Sequence, residues 1–156
     1  MFQFNNGLTK LTPELCPDPT IEKTKHPVVE IDEMWHFVEK KQNKLWIWKV
    51  LDKFTGHLVH YECGNCSASS VSKIIENLSK RGVIFYHTDG YSAYRKVIDP
   101  ERLYQGKDQT HLIESNNARM RHYFARFKRR TCVVSRKVAR VIQAIRIFSA
   151  KISGYI

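Results

Sequence analysis

SASSVSKIIENLSKRGVIFYHTD, residues 67–89, decides the fold. Val71, Ile74, Ile75 and Leu78 repeat at helical spacing, the serines among residues 67–70 offer N-caps, and Gly82 closes the segment. VIFYHTD then reads as an apolar strand that ends in Asp89. A helix of about four turns is too long to be a hairpin loop. It is a crossover, so the strand after it runs parallel to a neighbour in the same sheet.

Upstream lie the strands that this one joins. VVEIDEMWHFV, residues 28–38, puts Val29, Ile31, Glu33, Trp35 and Phe37 on one face and Glu30, Asp32, Met34 and His36 on the other. KKQNK (40–44) reads as a turn, and LWIWKVLD (45–52) as a strand apolar on both faces. Thr55-Gly56 turns the chain again before a third strand, HLVHYEC (57–63). Short connections imply an antiparallel meander. The three tryptophans, Trp35, Trp46 and Trp48, are candidates for base stacking, but their strand positions favour packing in the core.

Downstream, GYSAYRKVI (90–98) reads as a short helix or turn, and ERLYQGKDQ (101–109) as a polar stretch with a short strand at its start. Residues Thr110 to Thr131 read as one helix, with Ile113, Met120, Phe124 and Phe127 as its apolar stripe and Glu114, Asn117 and Arg121 on an adjacent face. After a break near Cys132–Ser135, Val138, Val141, Ile142, Ile145 and Phe148 mark a last amphipathic helix capped by Ser135. Residues 1–27 hold Pro13, Pro17, Pro19 and Pro27 and little periodicity, which makes them a tail or linker ahead of a single domain, 28–156. The fold class is α/β: a mixed sheet of three antiparallel strands, a crossover helix and a parallel strand, followed by basic helices.

Charge is unevenly spread. The formal net charge is +11, and no Asp or Glu follows Glu114. Residues 115–156 carry Arg119, Arg121, Arg126, Lys128, Arg129, Arg130, Arg136, Lys137, Arg140, Arg146 and Lys151. Such a block suits a polyanion, nucleic acid above all, because each cation near a phosphate releases a counterion; the plain alternative is a solvated helical face. With 42% hydrophobic residues the chain is not disordered. No apolar run approaches the roughly 20 residues that span a bilayer, and MFQFNNGLTK lacks a secretory apolar stretch, so the expected compartment is the cytoplasm. Cys63-Gly-Asn-Cys66 has the spacing of half a zinc site with no second half, and reads as ordinary reduced cysteines in a strand-to-helix turn.

Two acids stand where acids are costly: Asp32 in an apolar strand, and Asp89 at the end of another. With the parallel strand beside the first, these two are lateral neighbours, and Glu114 on a helix across the sheet end makes a third. Three close carboxylates repel one another and need hard divalent cations, and two such ions serve phosphoryl transfer. The plainer reading pairs Asp32 with a lysine, makes Asp89-Gly90 a turn, and leaves Glu114 to the helix dipole. Glu33 competes with Asp32, but strand alternation puts it on the face of Trp35 and Phe37. His87 and His111 stand near these acids, as phosphate contacts or hydrogen-bonded neighbours.

IDEMW with Asp32, HTDGYSAY with Asp89, and HLIESNNARMR…RFKRRT with Glu114 resemble, in order, the signature blocks of the insertion-sequence-one transposases, which are DDE transposases with a ribonuclease-H-like catalytic domain. Asp89 and Glu114 are 25 residues apart, Arg121 follows the glutamate by seven, and RRTCVVSRKV is similar to the stretch after the family's catalytic helix. The resemblance covers roughly residues 28–150 and implies Asp32, Asp89 and Glu114 as catalytic metal ligands for Mg²⁺ or Mn²⁺, two ions in all. It implies Arg121 as a phosphate contact, with Arg119, Arg126, Lys128, Arg129, Arg130, Arg136 and Lys137 as the DNA track. The implied activity is strand cleavage and strand transfer at insertion-sequence ends in the bacterial cytoplasm, by a homo-oligomer on DNA or with an N-terminal DNA-binding partner, and with no membrane involved. The family's N-terminal DNA-binding elements have no room in residues 1–27. A non-catalytic DNA-binding or inhibitory fragment, and a hydrolytic ribonuclease-H-like nuclease, are the alternatives.

Overall fold

The structure, a computed structural model, describes residues 26–128 and 133–154. Nearly all of the expected tail, together with Arg129, Arg130 and Cys132, lies outside them. Apolar alternation builds β1 (Val28–Val38), β2 (Lys40–Asp52) and β3 (Leu58–Gly64) into an antiparallel meander. The crossover helix α1 (Ala68–Lys80) follows and buries Val71, Ile74, Ile75 and Leu78, at about 2 kcal/mol for each side chain. Ser67 caps it by accepting from the Ser70 N–H. At its far end Gly82, at φ +83°, takes the left-handed conformation. There the Val83 and Gly82 N–H groups reach the Leu78 and Ser79 carbonyls and satisfy the last turn.

β4 (Phe85–Thr88) then pairs parallel to β1, as the crossover requires, and β5 (Leu103–Gln105) pairs parallel to β4. The sheet order is β3-β2-β1-β4-β5, that of a ribonuclease-H-like fold. One face carries α1 and the short α2 (Ser92–Val97) over Val29, Ile31, Trp48 and Val50. The other carries α3 (His111–Tyr123) and α4 (Val138–Ile152) over Met34, Ile47 and Leu51. β1 lies in the middle and lends side chains to both cores.

Three local expectations are corrected. KKQNK is the start of β2, and the chain reverses one residue earlier, at Glu39, which takes φ +63° and donates its N–H to the Ser135 carbonyl at 2.8 Å. The helix expected over 110–131 stops at Tyr123; Phe124 is extended and a 3-10 turn covers Ala125–Phe127. The break lets Phe127 reach the ring of His36, 5.1 Å away, while Phe124 packs on Phe148. Ser135 does not cap α4, whose N-cap is Lys137. Its hydroxyl instead meets His36 Nε2 at 3.0 Å, and its backbone bridges to Val38.

Candidate metal centre

The β1–β4 ladder ends where Ile31 faces Thr88. β4 stops there, so Asp32 and Glu33 border a gap instead of a strand, and Asp89 is the first residue past the end of β4. Alternation holds at these two positions. Asp32 turns toward α3, where Asn117 Nδ2 donates to its Oδ2 at 2.7 Å. Glu33 turns toward α2, where the buried Tyr94 hydroxyl donates to its Oε2 at 3.1 Å. Even so, Asp32, Glu33 and Asp89 each bring a carboxylate oxygen within 4.8 Å of the others. Side chains from opposite faces meet because no strand separates them beyond Thr88. Opposite faces are therefore no ground for setting Glu33 aside.

Glu114 is exposed in the first turn of α3, where it accepts from the Thr110 hydroxyl at 3.3 Å, and it stands outside that 4.8 Å group. It is one helical turn before Asn117, and its charge still reaches Asp32. Burial and neighbouring like charges show in the acidities. Burial first, then Asp89, raises the Asp32 carboxyl from 3.8 to about 6; the same two causes, followed by Asp32, raise Glu33 from 4.5 to about 7. Asp89 also supplies the expected turn, with Oδ1 accepting from the Tyr91 N–H at 3.0 Å.

Behind Asp32 is a group the sequence reading missed. Lys49 lies opposite Asp32 in the β1–β2 ladder and is 1% exposed. Its ammonium donates to Asn117 Oδ1 at 2.9 Å and to Asn116 Oδ1, and reaches Met120 Sδ at 3.8 Å. With its oxygen claimed by a lysine, the Asn117 amide must turn Nδ2 toward Asp32. Burial lowers the Lys49 pKa from 10.5 to about 7; Asp32 opposes the shift and Arg121 reinforces it. LWIWKVLD reads as a strand apolar on both faces, and nothing in that pattern singles out its lysine.

Glu30, also missed, is fully buried two residues before Asp32. Its Oε1 pairs with Lys53 at 2.5 Å, and its Oε2 accepts the Ile113 N–H at 2.8 Å, pinning the first turn of α3 one residue ahead of Glu114. Among the expected cations, Arg119, Lys128, Arg136 and Lys137 are exposed, and Arg121 is half-buried on the Asn117 side of α3. Arg126 is half-buried and bonded to the Ser135 hydroxyl at 3.3 Å. His87 bonds Gln109 at 2.9 Å and stacks on Tyr104, and His111 is exposed at the start of α3. Cys63 and Cys66 are free thiols, with burial pushing Cys63 up to about 12.

The donor set fits a divalent cation: three carboxylates, all oxygen ligands, with Asp32 and Glu33 held above the usual carboxylate range by burial and by Asp89. A family model described as IS1 transposase matches residues 27–151. The chain is 27% identical over 111 residues to insertion element iso-IS1n protein InsB of Shigella dysenteriae, covering 71% of this chain and 85% of that protein. It is 26% identical over 109 residues to insertion element IS1 2 protein InsB of Escherichia coli (strain K12), covering 70% and 65%. Among solved structures, the HTLV-2 integrase catalytic core domain in complex with magnesium aligns at 17% identity and TM-score 0.46, over 63% of this chain and 68% of that one. The catalytic core domain of BIV integrase aligns at 14% identity and TM-score 0.44, over 84% and 99%.

Proposed function

The chain belongs to the IS1 transposase family, and on that premise we propose that it is the catalytic part of a DNA transposase, cutting and joining strands at the ends of an insertion sequence. One observation carries the reading: Asp32 and Asp89 converge with Glu33 just past the end of the parallel β1–β4 ladder, three carboxylates within 4.8 Å of one another. Asp32, Asp89 and Glu114 hold the divalent ions, and Glu33 is a further oxygen donor on the α2 side. Held there, a pair of Mg²⁺ or Mn²⁺ ions would supply Lewis-acid activation for the attacking water or 3′-hydroxyl and positive charge for the departing oxyanion.

The chain's own residues set the geometry. The Asn117 amide orients the Asp32 carboxylate by donating to Oδ2. Tyr94 does the same for Glu33. Glu114 rotates from its Thr110 contact, a weak one at 3.3 Å, to complete the set. Arg121 takes a phosphate oxygen, and Arg119, Arg126, Lys128, Arg129, Arg130, Arg136 and Lys137 line the path of the duplex. Residues 28–156 form the catalytic unit, with 1–27 as a tail. Two element ends must be held together, so the unit works as a homo-oligomer on DNA or with a DNA-binding partner.

The test is a labelled element-end duplex with Mg²⁺. Cleaved and joined products are expected from the wild type, reduced at least about 100-fold by Asp89→Asn. Products unchanged in that variant reject the site. Cleavage without joining selects a hydrolytic nuclease. DNA retention with no metal-dependent product, even from the wild type, selects a non-catalytic DNA-binding fragment.

A further inference from the structure

The face of the sheet that carries Glu33 is covered by α1 and α2 only as far as Trp48, which is fully buried against Tyr91 and Tyr94. Beyond it the register sets Trp35 opposite Trp46 and Phe37 opposite Lys44, all on the same face. Core packing, expected for all three tryptophans, holds for Trp48 and fails for Trp35, which is 41% exposed. Trp46 and Phe37 are half-buried. The Trp35 and Phe37 rings stand 4.9 Å apart, and the Lys44 ammonium lies 5.4 Å from the Trp35 ring centre. On the other flank of Trp46 the partner in β3 is Gly64, and a Cβ there would meet nothing within 4 Å. Among the described residues, that end of the sheet is open.

We propose that Trp35, with Phe37, Trp46 and Lys44, is a stacking platform for unpaired bases of a DNA strand that leads into the acid cluster. The inference rests on the DNA reading above and adds a part to it. Glu33 and Trp35 share a face two residues apart, roughly 7 Å along the strand. Ring faces accept only bases that are out of a duplex stack, because paired bases offer edges alone. The surroundings fit a nucleic-acid strand: Lys44 is exposed beside the Trp35 ring, Lys40 and Lys41 are exposed at the start of the same strand, and Glu39 is the one acid in that stretch. A second copy of this chain is a poor occupant, since lysine is depleted in protein interfaces and two such ends would set like charges together.

The experiment uses the full chain without divalent ions, a labelled duplex carrying a short unpaired tail, and the same duplex without the tail. Wild type is expected to bind the tailed duplex about tenfold more tightly, with quenching of tryptophan emission. Trp35→Ala removes that preference and the quenching and leaves binding to the blunt duplex unchanged; Trp35→Phe, which keeps a ring, retains part of the preference. A preference intact in Trp35→Ala overturns the proposal, as does an equal loss on both duplexes. So does a wild-type dimer that Trp35→Ala splits in sedimentation, which gives the face to a second copy. Trp35-dependent binding with no product on adding Mg²⁺ sinks the catalytic reading alone, and product with no Trp35 dependence sinks the platform alone.

Discussion

Asp32 and Glu33 hold protons more tightly in the folded chain than outside it, and this has a sign. A carboxyl whose folded pKa is raised stabilises below its ordinary value and loses that contribution as pH rises through the folded one. The window runs from 3.8 and 4.5 up to about 6 and about 7. Without divalent ions, the melting temperature is therefore expected to lose ground to that of Asp89→Asn as pH rises through this window. His36, lowered by burial from 6.5 to about 4, slopes the other way, so the comparison is wild type against variant, not one curve alone. Added Mg²⁺ should raise the wild-type melting temperature above pH 7 and do little near pH 4; equal effects at both would separate the acids from ion binding. Lys49 sets a second residue-scale test. Lys49→Met fills a similar volume but frees the Asn117 amide to flip, and Mn²⁺ affinity is expected to fall about 10–100-fold while the fold survives. An unchanged Mn²⁺ titration would reduce the lysine to a packing role.

At the scale of elements, α3 is placed by its first turn. Its stripe, Ile113 and Met120, is buried on the β2 side, but Glu30 fixes the axial position by accepting the Ile113 N–H. Glu30→Ala leaves Lys53 beside an empty acceptor and the helix start unpinned. A loss of about 3 kcal/mol in urea unfolding is expected, and a change within experimental error would mean that the stripe alone docks the helix. The strands, the crossover and the parallel partner of β1 were legible, because period-two alternation and a capped helix admit few arrangements. The helix break after Tyr123 was not. Phe124 and Phe127 keep helical spacing, and only the position of His36 across the core shows why the chain leaves the helix to reach it. The same holds for Ser135, whose capping chemistry was taken up by a histidine 99 residues away.

For the whole molecule, the sheet gathers acids at one end of β4, and the late part of the chain supplies cations. DNA affinity should fall linearly with salt on a log–log plot, and replacing exposed Arg136 and Lys137 with Gln should lower the slope by roughly two; an unchanged slope would take that segment off the DNA path. The site was half legible in the sequence. Asp32 and Asp89 stood out as acids in apolar strands, and their meeting followed from the parallel pairing. Glu33 in the cluster did not follow, because alternation describes faces and says nothing about a strand that ends early. The roles of Lys49, Asn117 and Glu30 were hidden for a related reason: each acts through a partner far away in the chain. Among the described residues no helix is long and apolar enough to cross a membrane. Whether Asp32, Asp89 and Glu114 together hold the ions can be read from anomalous scattering of crystals grown with Mn²⁺. The expected result is an ion bound by Asp32 and Asp89 with the Glu114 carboxylate turned in to join them. Crystals with no ion between the two aspartates, or with one held by Glu33 while Glu114 stays on Thr110, would contradict it.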